Sequence, residues 1–244
     1  MNLITSSRTP SPLRTPSSPI TPSSPNKNKT IMTPKEQRNK LLAEHLVKQL
    51  KQRHYEALYC PTAAEAVKTI VGMIPDGSSV TWGGSMTIRD MGLTKALHDK
   101  NTLDIWDRDL APDRAAAQEI YHRAFSADYY LSSVNAISED GLIVNIDGNG
   151  NRVAAITFGP KKVILVVGLN KVAQDLDAAV KRARSVAAPI NAARFADLNS
   201  PCKTDGVCHN CKSVDCLCNY IQIMRNSRPA GRHTVVLVGE DLGY

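Results

Sequence analysis

Hydrophobic positions near the start of this chain recur every three to four residues, the spacing of an amphipathic helix. Thr33 is typical of a helix N-cap and Pro34 of a first helical position, and the apolar face that follows continues through about Gln52. A second stretch with the same period covers Ala63–Met73, before Pro75-Asp76-Gly77 interrupts it. The pattern therefore predicts two amphipathic helices before the first strand.

From residue 79 onward, short apolar runs alternate with longer stretches of helical period. Strands are predicted at residues 79–82, 103–107, 129–137, 142–146, 153–157, 163–167 and 234–238. Helices are predicted at residues 87–98, 113–124 and 172–187. Strands that alternate with helices of about 10 to 15 residues are typical of an α/β domain with a mainly parallel sheet.

Residues 1–31 differ in composition from the rest of the chain, because Ser, Thr and Pro occupy 18 of their 31 positions. A segment with so little apolar surface to bury is predicted to be disordered. A second interpretation is that these residues lie upstream of the true start at Met32. Residues 32–244 are predicted to form one domain, which includes a cysteine-rich segment at residues 202–218.

The charge and hydropathy of the chain exclude several classes of function. The net charge of +7 includes four basic and no acidic residues in residues 1–31, which leaves +3 for the other 213 residues. With 5% aromatic residues and no basic stripe, we expect no nucleic-acid groove. No apolar run approaches the roughly 18 residues of a membrane span, and no secretory signal pattern is visible. We therefore expect a cytoplasmic protein without a membrane or nucleic-acid partner.

A first candidate ligand loop follows the strand predicted at residues 79–82. Gly83 and Gly84 let backbone amides approach an anion closely, and Ser85 adds a hydroxyl at the start of the next helix. A tight strand-to-helix turn that binds nothing is the alternative.

A second candidate loop lies between residues 141 and 152. Asp147-Gly148 and Asn149-Gly150 are typical of β-turns, which is the alternative to a ligand site. A turn does not account for Asn145 within an apolar strand or for Arg152, whose planar guanidinium suits a carboxylate or phosphate. Ligands of open α/β sheets bind at the carboxyl ends of strands, where both candidate loops are predicted to lie.

Five of the six cysteines fall within 17 residues, at positions 202, 208, 211, 216 and 218. Clustered thiols in a cytosolic chain more often hold a metal than form structural disulfides. Four thiolates suit either zinc or an iron–sulfur cluster, and the spacing leaves the choice open. Cys216 and Cys218 are too close together for both to be required as ligands.

Several motifs together resemble the lactate-utilisation (LUD) domain family, in its single-domain branch with a C-terminal cysteine motif. The resemblance extends over about residues 35–244, and each motif is weaker evidence than their combination. Its motifs are Trp82-Gly83-Gly84-Ser85 and the segments at residues 133–141, 145–155, 167–172, 189–194, 204–211 and 238–243.

The resemblance implies a Rossmann-like three-layer sandwich similar to sugar-phosphate isomerases and class I CoA transferases. It also implies a component of, or accessory to, the oxidation of L-lactate to pyruvate, with iron–sulfur protein partners. If the chain is an enzyme, it would be an oxidoreductase component acting on lactate. The four cysteines of the branch map onto Cys202, Cys208, Cys211 and Cys218, with Cys216 as an alternative.

Three functions follow as alternatives. In the first, a small carboxylate- or phosphate-containing ligand is bound by Gly83, Gly84, Ser85, Asn145, Asp147, Gly148, Asn151 and Arg152. In the second, the chain is a CoA transferase or sugar-phosphate enzyme, because residues 138–141 are similar to the CoA transferase loop that carries a nucleophilic glutamate, here Glu139. In the third, the chain is a non-catalytic subunit whose cysteine-rich segment is stabilised by a bound metal.

Overall fold

The main feature of the fold is a six-stranded sheet in which every neighbouring pair of strands is parallel. A computed structural model describes residues 32–244; the disorder predicted for residues 1–31 lies outside the described residues. The spatial order is β1-β10-β7-β4-β2-β3. These strands are β1 (Glu56–Cys60), β2 (Ser79–Trp82), β3 (Asp104–Trp106), β4 (Tyr129–Ser133), β7 (Lys162–Gly168) and β10 (His233–Val238).

A second sheet of four short strands has the order β8-β5-β6-β9. In this sheet β6 is antiparallel to both of its neighbours, whereas β8 is parallel to β5. Its strands are β5 (Ala136–Ser138), β6 (Ile143–Asp147), β8 (Val172–Ala173) and β9 (Tyr220–Met224).

Nine α-helices accompany these strands within residues 32–244. They are α1 (Pro34–Gln52), α2 (Ala63–Met73), α3 (Met86–Asp90), α4 (Leu93–Asp99), α5 (Arg114–Arg123), α6 (Asn151–Thr157), α7 (Leu176–Arg182), α8 (Ala188–Ala193) and α9 (Pro201–Asp205). No helix in this part of the chain combines the length and the apolar character needed to cross a membrane.

The main sheet is buried on both faces, as its continuous apolar strands require. Leu165 of β7 and Val235 of β10 pack with α1 and the second sheet in one core. Val166 and Val236, which alternate with them, pack with α2, α3 and α4 in another. Helices thus flank a parallel sheet, which confirms the predicted α/β fold.

The predicted order of the first elements is wrong in one respect, because a strand separates the two N-terminal helices. β1 is an edge strand of five residues that pairs only with β10, and only Ala57 and Cys60 in it are buried. An edge strand with this mixed burial has neither a regular alternation of apolar and polar residues nor a continuous apolar run, so the sequence pattern does not reveal it.

The strand predicted at residues 153–157 is also wrong, since these residues belong to α6. Its β-branched residues favour a strand locally, but Gly150 adopts φ +82° and Asp147 accepts the backbone N–H of Val153 at 3.2 Å. These contacts start α6 after only three residues that follow β6, so residues 153–157 are not a strand.

Three other predicted elements have different boundaries in the structure. The strand predicted at residues 129–137 is divided between the two sheets as β4 and β5, and the helix at residues 87–98 is interrupted at Gly92, with φ +77°. The helix predicted at residues 172–187 begins only at Leu176, because Val172–Ala173 pairs with β5 and Asp175 caps the helix. β9 has no counterpart among the predicted elements.

Candidate functional site

A cleft of about 780 Å³ opens at the carboxyl ends of β2, β4 and β7, which are neighbours in the main sheet. Gly84 and Ser85 follow β2, Ser133 ends β4, and Lys171 follows β7; all four line the cleft. The loop between β6 and α6 forms a further part of its wall. The two loops predicted from the sequence therefore meet at one cavity, at the edge where open α/β sheets bind ligands.

The two glycines after β2 make room for arginine side chains. A Cβ atom at Gly83 would lie 2.7 Å from the Tyr130 hydroxyl and 3.0 Å from Cγ of Arg152. A Cβ atom at Gly84 would lie 2.6 Å from Nη2 of Arg108. Gly83 is thus required by the packing of Tyr130 and Arg152, whereas Gly84 leaves space for the guanidinium of Arg108. The helix α3 that follows has only five residues and no side-chain cap at Ser85.

Arg152 is held from several sides by the protein itself. Its Nη1 donates to Ser133 O at 3.3 Å and to Asn145 Oδ1 at 3.0 Å. Its Nη2 donates to Asn135 Oδ1 at 3.0 Å and to Ile146 O at 2.5 Å. A guanidinium has five N–H groups, so few of them are left for a ligand.

Asn145 and Asp147 support the loop rather than project as a pair toward a ligand. Asn145 is fully buried and does not line the cleft; its Nδ2 donates to Gln222 Oε1 at 2.9 Å and its Oδ1 accepts from Arg152. Asp147 lines the cleft but uses Oδ1 to accept the N–H groups of Asn149 and Gly150. Both residues therefore position Arg152 and the start of α6.

Two buried polar atoms of the cleft residues have no hydrogen-bond partner among the described residues. They are the hydroxyl Oγ of Ser85 and the Nε of Arg108, and the latter lies 3.7 Å from Asp109 Oδ1 in a salt bridge. Leaving a buried donor or acceptor unpaired costs roughly 1–3 kcal/mol, so such atoms are expected to meet water or a ligand.

The cleft carries an excess of positive charge. Asp109, Asp147 and Asp215 are the acidic residues that line it. Its basic lining residues are Arg89, Arg108, Arg114, Arg152, Lys171 and Arg194. An anionic ligand is therefore favoured electrostatically.

The predicted ligand residues are distributed between the lining and the layer behind it. Gly84, Ser85, Asp147, Gly148, Asn151 and Arg152 line the cleft, whereas Gly83 and Asn145 do not. Lys171 and Arg108 are lining residues that the sequence-based set did not include. Lys171 belongs to the motif at residues 167–172, but a lysine outside an apolar run gives no signal of burial.

Glu139 lies away from the cleft. It belongs to the turn between β5 and β6 and lines a shallow surface hollow beside α1, together with Pro34 and His45. The structure thus separates the glutamate of the CoA transferase alternative from the cationic cavity.

The cysteine-rich segment surrounds a second cavity of about 140 Å³. Its lining includes Cys202, Cys208, Cys211, Cys216 and Cys218, each a free thiol. The Cys218 N–H donates to Cys216 Sγ at 3.3 Å. Burial, together with the sulfurs of Cys216, Cys208 and Cys202, raises the pKa of Cys218 to about 12. Among residues 32–244, however, no three His, Cys, Asp or Glu side chains are arranged to hold a metal ion.

The family model for the LUD domain matches residues 43–238 of the chain. Among solved structures, a DUF162 family protein from Deinococcus radiodurans is similar at 12% identity, with a TM-score of 0.49 over 82% of this chain and 97% of that one. Ribose 5-phosphate isomerase from Plasmodium falciparum is similar at 11% identity and a TM-score of 0.31, over 46% of this chain and 52% of that chain. For eIF2B delta from Chaetomium thermophilum, identity is 12%, the TM-score is 0.33 and 57% of each chain is covered. A comparison with curated proteins gives no match.

Proposed function

The chain belongs to the LUD domain family, and from this membership and the cationic cleft we propose that it is a lactate-utilisation-type protein that binds a small anion. The anion carries a carboxylate or a phosphate group. In this role the chain is a component of, or accessory to, the oxidation of L-lactate to pyruvate. That reaction releases two electrons, which an iron–sulfur partner protein receives.

The unpartnered atoms in the cleft wall are the observation that carries the proposal. Ser85 Oγ can donate to an anionic oxygen, and Arg108 Nε–H is a second donor in the same wall. Hydrogen bonds to a charged group contribute roughly 1.5–3 kcal/mol each, about twice the contribution of neutral ones. A carboxylate or phosphate that accepted from Ser85 Oγ would therefore remove the cost of its missing partner.

The remaining residues of the cleft have supporting roles in this proposal. Lys171 adds a buried amine, and Arg152 fixes the relative positions of Ser133, Asn135 and the β6–α6 loop through its four hydrogen bonds. The ligand would thus be bound by Ser85 and Arg108 and oriented by a rigid loop.

The proposal is tested by calorimetric titration of the full chain with L-lactate, pyruvate and inorganic phosphate at low and high salt. We expect binding of at least one anion that weakens with ionic strength. Ser85→Ala is expected to weaken it about tenfold or more, because one hydrogen bond to a charged group is lost. Ser185→Ala removes an exposed hydroxyl outside the cleft and is the matched control. Equal affinity in the two variants would contradict the proposed site.

The cysteine cavity favours a second function, metal binding. Its five thiols are donors that zinc and iron–sulfur clusters prefer. The thiols surround one cavity but would have to move together to enclose an ion. We propose Cys202, Cys208, Cys211 and Cys218 as the ligands, with Cys216 as the alternative to Cys218.

Elemental analysis and visible absorption of anaerobically purified protein test this second function. We expect zinc or iron at a stoichiometric ratio, and a visible absorption band only in the case of an iron–sulfur cluster. Cys208→Ser should abolish retention of the metal, whereas Cys216→Ser should preserve it. Protein that retains neither metal after anaerobic reconstitution would overturn the assignment.

A further inference from the structure

Lys171 is a buried amine that opens onto the cleft. Only 2% of the residue is exposed, yet it is part of the cleft lining. Its Nζ lies 2.8 Å from Thr87 Oγ1, 2.9 Å from Ser133 Oγ and 3.2 Å from Val134 O. These groups belong to α3, to the last residue of β4 and to the residue after it, and all three residues also line the cleft.

No carboxylate among the described residues pairs with the amine of Lys171. Within residues 32–244 it forms no salt bridge, and its three partners are two hydroxyls and a carbonyl. Burial, together with the positive charges of Arg182 and Arg152, lowers the pKa of Lys171 to about 7, against a weaker opposing effect of Asp90. A desolvated lysine next to cationic groups is the usual form of a nucleophilic amine.

We propose that Lys171 is the nucleophilic residue of the cleft, and that it binds a small carbonyl-bearing acid, of the 2-oxo acid class, as a covalent imine. This inference rests on the proposed function, because it requires that the cleft bind a small anion. It adds the class of ligand and the atom that reacts. Ser85 and Arg108 would bind the acid group, while Nζ faces the carbonyl carbon.

The proposed step is balanced without any further reactant. The lone pair of Nζ forms a bond to the carbonyl carbon, and a proton passes from nitrogen to the carbonyl oxygen to give a carbinolamine. Loss of one water molecule then forms the C=N bond, and hydrolysis reverses it. Nothing is oxidised or reduced. The hydroxyls of Thr87 and Ser133, both within 3 Å of Nζ, are placed to pass the proton.

Borohydride trapping of the full chain in the presence of pyruvate tests the inference. The reductant converts an imine into a stable secondary amine, so the intact mass should increase by one reduced pyruvyl group, and peptide mapping should place it on Lys171. Lys161, an exposed lysine paired with Asp128, is the internal control for non-specific labelling. L-lactate has a hydroxyl in place of the ketone and cannot form an imine, so it should protect Lys171 while leaving labelling of Lys161 unchanged.

The outcomes separate this inference from the proposed function. Labelling of Lys171 at least tenfold above Lys161, and its suppression by L-lactate, would support the imine. If pyruvate binds by calorimetry but Lys171 is labelled no more than Lys161, the imine is excluded and the anion site stands. If no anion binds and Lys171 is not labelled, both proposals fail. Mapping on the unaltered chain makes the test independent of whether a variant folds.

Discussion

At the scale of single residues, the site depends on polar side chains whose partners are other side chains. Asn145 accepts from Arg152 and donates to Gln222, which explains how a fully buried amide is tolerated inside an apolar strand. Its position in that strand indicates from the sequence that it needs partners, but not which ones. Gln222 belongs to β9, 77 positions away, and only the pairing of β6 with β9 brings the two together.

The two adjacent glycines give a matched prediction at this scale. Gly83→Ala should destabilise the protein by about 1–3 kcal/mol, because the new Cβ meets the packed Tyr130 and Arg152. Gly84→Ala should leave stability nearly unchanged but weaken anion binding, since its Cβ meets only the flexible end of Arg108. Urea unfolding and calorimetric titration of both variants measure the two effects. The prediction fails if Gly84→Ala is the less stable variant, or if it binds anions as well as the unaltered chain.

At the scale of elements, the sequence predicts a helix or strand well where its hydrophobic periodicity and its capping or turn residues indicate the same structure. α1, α2 and β2 lie where the sequence predicts them, because caps, periodicity and apolar runs agree there. α6 fails this test, since its β-branched residues favour a strand while Asp147 and Gly150 start a helix. β8 is two residues long and exists through pairing with β5, which no local window contains.

At the scale of the whole molecule, the parallel sheet could be predicted because its central strands are apolar on both faces. The second sheet could not, because β9 exposes Tyr220, Ile221 and Ile223 and joins the other strands only through β6. The same limit applies to the site. Both candidate loops were recognisable from their residues, whereas Lys171 and Arg108 enter the cleft only after the main sheet is assembled.

A pH dependence of global stability follows from His233 at the start of β10. The residue is 3% exposed, and burial lowers its pKa to about 4, below the roughly 6.5 of an unfolded histidine. Between these values the unfolded chain binds a proton that the folded chain does not. The contribution of His233 to the free energy of unfolding is therefore complete above about pH 6.5. As much as roughly 3 kcal/mol of that free energy is lost as pH falls to 4.

Urea unfolding at pH 7, 5.5 and 4 measures this loss. In His233→Gln, the free energy of unfolding should change less steeply with pH. Asp128 does not interfere, because hydrogen bonds from Lys161 and Ser79 lower the pKa of Asp128 to about 2. Its own contribution is lost only below about pH 3.9, the ordinary value for an aspartate. An unchanged slope in His233→Gln would rule out the histidine as the cause.

Cys216 and Leu217 line both the anion cleft and the cysteine cavity, so the two spaces share a partition two residues wide. An occupant that displaces this partition from one side changes the shape of the other side. Thermodynamic reciprocity then requires that each occupant alter the affinity of the other by the same factor. Under the proposed functions, a metal held by the thiols would change how tightly the cleft binds an anion, and a bound anion would change the metal affinity of the thiols by the same factor.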